Sequence, residues 1–137
     1  VVKIAKSSGL GWSALSVDLS DGTTATDIRN DVTNFQFSTP RGVQDITGVD
    51  KSAYERLLLL ADFSITLNGV FNTATSHTVF KTVPSTTATR TTTLTVSSQT
   101  IAPECMYTDY ALTRGDDGSL TWTSPGVLSN GAVPSWS

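Results

Sequence analysis

A single histidine, His77, and a single cysteine, Cys105, are the side chains from which nucleophilic or metal chemistry would have to be built. A serine or threonine nucleophile needs an adjacent base held by a third group. His77 lies between Ser76 and Thr78 with no carboxylate close in sequence, so it reads as a structural residue. Cys105 sits between Glu104 and Met106 in an apolar stretch, the setting of a packed thiol. One cysteine also excludes an internal disulfide, and one His with one Cys falls short of a four-ligand zinc site. Asp116 and Asp117 between Gly115 and Gly118 lack the alternating ligands of a calcium loop, and a hairpin turn accounts for them and for the Arg114-Gly115-Asp116 triplet. Neither a G-x-G-x-x-G nor a G-x-x-x-x-G-K-[ST] phosphate cradle is present. The expectation is a chain with no catalytic residue, no metal and no cofactor.

Composition points to what such a chain does instead. Its 137 residues suit one domain with a real core. The net charge is −3, the isoelectric point is near 4.8, and the nine Lys and Arg are scattered. Tight nucleic-acid binding draws on clustered cations, so contact with DNA should be non-adhesive. No apolar run approaches the roughly 18 residues of a membrane span, and no basic-then-apolar leader is visible. Serine and threonine supply 40 residues, 17 and 23 respectively. Threonine is β-branched and fits a pleated, polar surface, which favours a mainly β fold.

The elements that would carry this surface centre on residues 47–71, TGVDKSAYERLLLLADFSITLNGVF. Ser52 followed by Glu55 is an S-x-x-E capping box, and Tyr54, Leu57 and Leu58 share a face at helical spacing, which predicts a helix at about 50–60. Phe63, Ile65 and Leu67 alternate with Ser64, Thr66 and Asn68, a half-buried strand expected to end in a turn at Asn68-Gly69. Before this stretch, DIRNDVTNFQFS reads as a strand with Phe35 and Phe37 on one face, and 40–48 as a long loop broken by Pro and Gly. After it, Thr75 or Ser76 caps a second short helix, about 76–82, carrying Val79 and Phe80. In the next strand Leu94 and Val96, with Thr92, oppose Thr91, Thr93, Thr95 and Ser97. APECMYTDYALT, the turn RGDDGS and LTWTSPGVL then give a hairpin with Tyr110 and Leu112 on one face and Leu120 and Trp122 in register. Leu57, Leu58, Phe63, Ile65, Leu67, Leu94, Val96, Leu112 and Trp122 form the expected core. Strands whose second face is an unbroken row of hydroxyls, with few edge lysines or prolines, recruit neighbours unless closure removes their edges.

The segments 47–71, TSHTVFKT, ECMYTDYALTRGDDGSLTWTSPGVL and NGAVPSWS, in that order, resemble the major tail tube proteins of long, non-contractile-tailed bacteriophages, most of all those infecting actinobacteria. The resemblance covers roughly residues 45–137. It implies a single tail-tube domain over 1–137, a β-sandwich or half-barrel of two sheets with a flanking helix; 1–26 and 129–137 are candidate inter-subunit arms. It implies six copies closing into a ring, with inner sheets forming one barrel and rings stacking into a tube in the virion. Before assembly the subunit would lie in the host cytoplasm. Implied partners are further copies, the tape-measure, terminator and distal tail proteins, and double-stranded DNA passing without tight binding. No membrane is involved. An acidic, hydroxyl-rich wall gives phosphates no counter-charge, which suits such a conduit.

Under that reading, Ser64, Thr66 and Asn68 or Thr93, Thr95 and Ser97 are candidates for the lumen or a subunit contact; without the resemblance, an ordinary solvated sheet face is the favoured reading. Arg41, Gln44 and Asp45 in the 40–48 loop, with Trp12 and Trp136, are candidates for ring-to-ring contacts. The rival of a different class is a monomeric β-sandwich carbohydrate-binding or adhesin-like module, with three Trp and three Tyr as a sugar platform. A small hydrolase, a third reading, would need His77 and an acid in one cleft.

Overall fold

The computed structural model of the chain describes residues 14–18 (as backbone), 25–96 and 98–137. Among them are eleven strands and one helix: β1 Ala14–Asp18, β2 Ala25–Asp27, β3 Val32–Ser38, β4 Arg41–Asp45, β5 Arg56–Ala61, β6 Ser64–Val70, α1 Ser76–Phe80, β7 Arg90–Val96, β8 Gln99–Ile101, β9 Glu104–Tyr107, β10 Ala111–Arg114 and β11 Leu120–Leu128. Nine strands make one curled, half-barrel sheet in the order β2-β1-β7-β9-β11-β6-β3, with β10 added to β11 and β8 to β7. The remaining two, β4 and β5, form a hairpin of their own.

Two-residue periodicity builds the sheet. In β6, Ile65, Leu67 and Gly69 are buried while Ser64, Thr66, Asn68 and Val70 face outward. In β7 the buried positions are Arg90, Thr92 and Leu94. Strand β11 is antiparallel to β6 over seven registered pairs, from Thr121 opposite Val70 to Val127 opposite Ser64. The inward side chains meet those of α1: Phe80 packs on Tyr107, Trp122 and Tyr110 with ring centroids 5.2, 5.1 and 5.7 Å away. Phe63, Ile65, Leu67, Leu94 and Trp122 are in the core as expected, joined by Ile28, Val79, Ile101, Cys105 and Tyr107.

Helix α1 has five residues, and its N-terminus is held from a distance. Thr75 at the N-cap makes no capping bond with its own side chain. The buried carboxylate of Asp31 takes that role, accepting hydrogen bonds from the Ser76 N–H (3.0 Å), the Thr75 hydroxyl and the Asn72 amide (3.0 Å). A side-chain acceptor at this position satisfies donors that helix geometry leaves orphaned.

Three expectations are corrected. Residues 50–60 hold no helix: 56–61 is strand β5, whose partner β4 occupies the stretch expected to be a loop. Four successive leucines have no polar side, so neither a helical nor a strand period is written there. Leu57, Leu58 and Leu112 are exposed, not core, and Val96 is half-buried. Asn68-Gly69 is no turn, because β6 runs through it with Gly69 opposite Trp122 and Val32. No helix of the described residues is long and apolar enough to cross a membrane.

Candidate assembly surface

The β4–β5 hairpin is fastened to itself more than to the body. Arg41 Nε donates to the Leu59 carbonyl (2.9 Å), and the Asp62 N–H to the Pro40 carbonyl (3.0 Å), closing its base. At the tip, the Thr47 hydroxyl accepts the Glu55 N–H (2.8 Å) and lies 2.6 Å from Asp45 Oδ1, which also accepts the Thr47 N–H. These bonds from Thr47, the side-chain one foremost, hold the Asp45 carboxyl below its ordinary range. Ile46 N–H donates to the Glu55 carbonyl (3.0 Å).

What the arm presents is apolar. Val43, Ile46, Val49, Tyr54 and all four leucines of 57–60 are exposed, Leu60 by 90%. A contiguous exposed apolar surface marks an interaction site, and a two-stranded hairpin is marginal alone in water. Between the arm and the C-terminal segment runs a groove of about 820 Å³, lined by Leu58, Leu59 and Leu60 on one side and Val133 and Pro134 on the other. Arg41, Gln44 and Asp45 lie on β4, exposed, within this arm and not in a loop.

The second feature is the outer face of β3, β6 and β11. Asn68 sits in a row across it: its Nδ2 donates to Asn34 Oδ1 (2.8 Å) and its Oδ1 accepts from Thr123 Oγ1 (2.8 Å). Ser38 and Ser64 hydroxyls pair at 3.1 Å. None of these three strands carries a lysine or arginine. Further round the curl Glu104 accepts from Thr89 (2.6 Å) and Thr91 (2.5 Å), placing a carboxylate among hydroxyls. Ser64, Thr66 and Asn68 therefore share one polar surface. Thr93 and Thr95 lie elsewhere, on the part of β7 paired with β1 and β8, and β9 and β11 separate them from β6. Ser97 and Trp12 lie outside the described residues.

Trp136 is half-exposed and folds back onto its own chain. Its ring stands 6.1 Å from Phe37, and its neighbour Ser137 exchanges backbone hydrogen bonds with Thr100 (2.9 and 3.0 Å). Of the other aromatics, Trp122 and Tyr107 are buried in the core, and Tyr110 packs on Trp122 and His77. His77 Nδ1 is 3.2 Å from the Tyr110 hydroxyl, with its ring against Phe71. Cys105 is buried, and burial pushes its thiol up to about 11. The described residues contain no cluster of three or more metal-ligating side chains.

Sequence reasoning missed the apolar arm as a surface. Its signal was present in 57–60, where a run of leucines without polar alternation has no place to hide one face. Beside the Ser52–Glu55 box, such a run reads as the buried face of a helix.

No family model matches the sequence, and no curated protein matches it either. Solved structures do. The fold is similar to that of a chain in the "Virion of native gene transfer agent (GTA) particle", with a TM-score of 0.67 and 14% identity, covering 90% of this chain and 95% of that one. It is also similar to a chain in the "Tail of empty GTA particle computed with helical refinement, C6 symmetry", with a TM-score of 0.69 and 15% identity, covering 90% and 94%. At these identities the likeness is one of fold, extending over nearly the whole of both chains.

Proposed function

We propose that the chain is a structural subunit of a phage-type virion tail, whose copies close into rings that stack into a tube. The observation that carries this reading is the β4–β5 arm: a folded hairpin with apolar residues on display, which the other described residues leave uncovered. A second copy is the partner that supplies a matching apolar surface at equal abundance, and the groove beside the arm offers one. The shared fold with a chain of a six-fold tail particle supports the same reading.

In this assembly the arm, including Arg41, Gln44 and Asp45, bridges to a neighbouring subunit, and the outer face of β3, β6 and β11 lines the conduit. A wall mostly of hydroxyls and amides, with Val70 and Val127 among them and without cations, gives DNA phosphates no ion pairs to form or break, so the duplex passes freely. Ring closure and stacking leave the subunit no chemistry to perform, and its partners are other copies, other tail proteins and the passing genome.

The test is direct. Concentrated protein is imaged by negative-stain microscopy and followed by sedimentation. Rings or tubes of uniform diameter support the reading. A monomer at all concentrations, with affinity for a glycan array, favours the binding-module alternative and ends this one.

A further inference from the structure

The sequence contains Asn-Gly twice, at 68–69 and at 130–131, and the fold treats the two in opposite ways. Asn68 lies mid-strand with both ends of its amide engaged, and Gly69 is buried in the ladder between Val32 and Trp122. Asn130 and Gly131 are exposed at the start of the C-terminal segment. Gly131 has φ of +76°, and a β-carbon there would meet nothing within 4 Å. The Asn130 Oδ1 accepts the Ala132 N–H at 3.0 Å.

We propose that Asn130 is a site of spontaneous deamidation through a cyclic imide. Hydroxide removes the proton from the Gly131 N–H, and the nitrogen attacks Asn130 Cγ. A C–N bond forms to give a five-membered succinimide, and the side-chain nitrogen leaves as ammonia. Water then opens the ring at either carbonyl, giving aspartate or isoaspartate at 130. Two features of the site favour the attack. The glycine nitrogen is unshielded by a side chain, and the Ala132 N–H is placed to stabilise the negative charge that develops on Oδ1. At Asn68 the same reaction would require leaving the sheet, so its rate is tied to a much larger opening.

The position gives the reaction a consequence. Ser129, one residue earlier, is anchored by donating its N–H (3.0 Å) and hydroxyl (3.1 Å) to the Glu104 carbonyl, and Ser137 is anchored on Thr100. Conversion places a carboxylate between these anchors, and the isoaspartate form adds a methylene to the main chain. The segment that seats Trp136 on Phe37 is thereby re-set, and every converted copy gains one negative charge.

The experiment incubates folded protein in mildly alkaline buffer and follows tryptic peptides by tandem mass spectrometry. Asn130 falls in the peptide after Arg114, and Asn68 in the one between Arg56 and Lys81. The expected result is amide-to-acid conversion at Asn130 at least about tenfold faster than at Asn68. In denaturant, the two sites should convert at similar rates, which shows that the contrast comes from the fold. Asn130→Ser keeps an oxygen acceptor and should abolish the acidic species seen by ion exchange. Equal rates in the folded protein, or an intact Asn130 when the denatured control has converted, overturn the proposal.

Discussion

The indole of Trp122 lies against the bare Cα of Gly69, its ring carbons 2.9 Å from where a β-carbon on that residue would stand. The Asp31 carbonyl closes the same space from the other side, while the indole N–H donates to the Val70 carbonyl at 3.0 Å. Gly69 is thus a packing residue in mid-strand, where its missing side chain is what lets a tryptophan lie flat. Gly69→Ala should force both the ring and a backbone carbonyl to move, costing about 2–4 kcal/mol and lowering the melting temperature by roughly 10 °C. A melting temperature within a degree or two of the parent would show that the space is not closed.

That glycine also shows where sequence reasoning reached its limit. Asn-Gly reads locally as a turn, yet Trp122 lies more than fifty residues away, and no local pattern announces that its ring needs the room. The alternations in β6, β7 and β11 were legible because each strand buries one face against this chain's own core, so the period is written in its residues. So were the RGDDGS turn, where Gly118 adopts φ of +90°, and the short helix before Pro84. Residues 50–60 were not. Their leucines are exposed on a two-stranded hairpin with no core face to write a period against, and a capping box beside such an apolar run imitates a helix. Of the candidate site, Ser64, Thr66 and Asn68 came together as one face, while the β7 threonines went elsewhere for want of any signal giving strand order.

Asp31 ties the start of β3 to the start of α1, and its titration should be visible in stability. Burial pushes its carboxyl up, but the bonds from Thr75, Asn72 and the Ser76 amide outweigh that and hold it below the ordinary aspartate value of 3.8. A carboxyl that is a stronger acid when folded means the unfolded state binds more protons, so stability rises with pH through that window. Its contribution is fully present above about pH 4–5 and is lost as pH falls through the folded value. Asp31→Asn should cost about 2–4 kcal/mol at neutral pH by leaving donors badly matched, and should flatten the acid limb of the melting curve. An unchanged acid limb would assign that limb to other carboxylates.

Leu60, the most exposed of the four leucines, separates folding from assembly. Leu60→Asp should change the stability of the isolated subunit by no more than about 0.5 kcal/mol, because the side chain is 90% exposed. In the assembly it would bury a charge without a partner, and polymerisation should fail. Thermal melts paired with sedimentation give both readings, and normal tubes from this variant would remove the arm from the interface.

Trp136 gives a graded version of the same separation. Its contact with Phe37 is one half-exposed aromatic pair, so Trp136→Ala should cost the subunit only about 0.5–1.5 kcal/mol. If the C-terminal segment bridges rings, tube length should fall far more than this loss explains, whereas Trp136→Phe should restore much of it. Full-length tubes from the alanine variant would leave the tryptophan a role only within its own subunit.

The orientation of the polar face can be read with a single thiol. Cys105 is buried and its thiol is pushed up to about 11, first by burial, so the native protein should resist maleimide at neutral pH until it unfolds. Thr66→Cys then adds one reactive group at an exposed position in the middle of the outer face of β6. On the free subunit, small maleimides and polyethylene-glycol maleimides should both label it. Once tubes form, a conduit-lining thiol should remain open to the small reagent and become closed to the polymer, which cannot travel far along a narrow bore. Equal polymer labelling before and after assembly would place this face on the outside of the tube, and protection from both reagents would place it in a subunit contact.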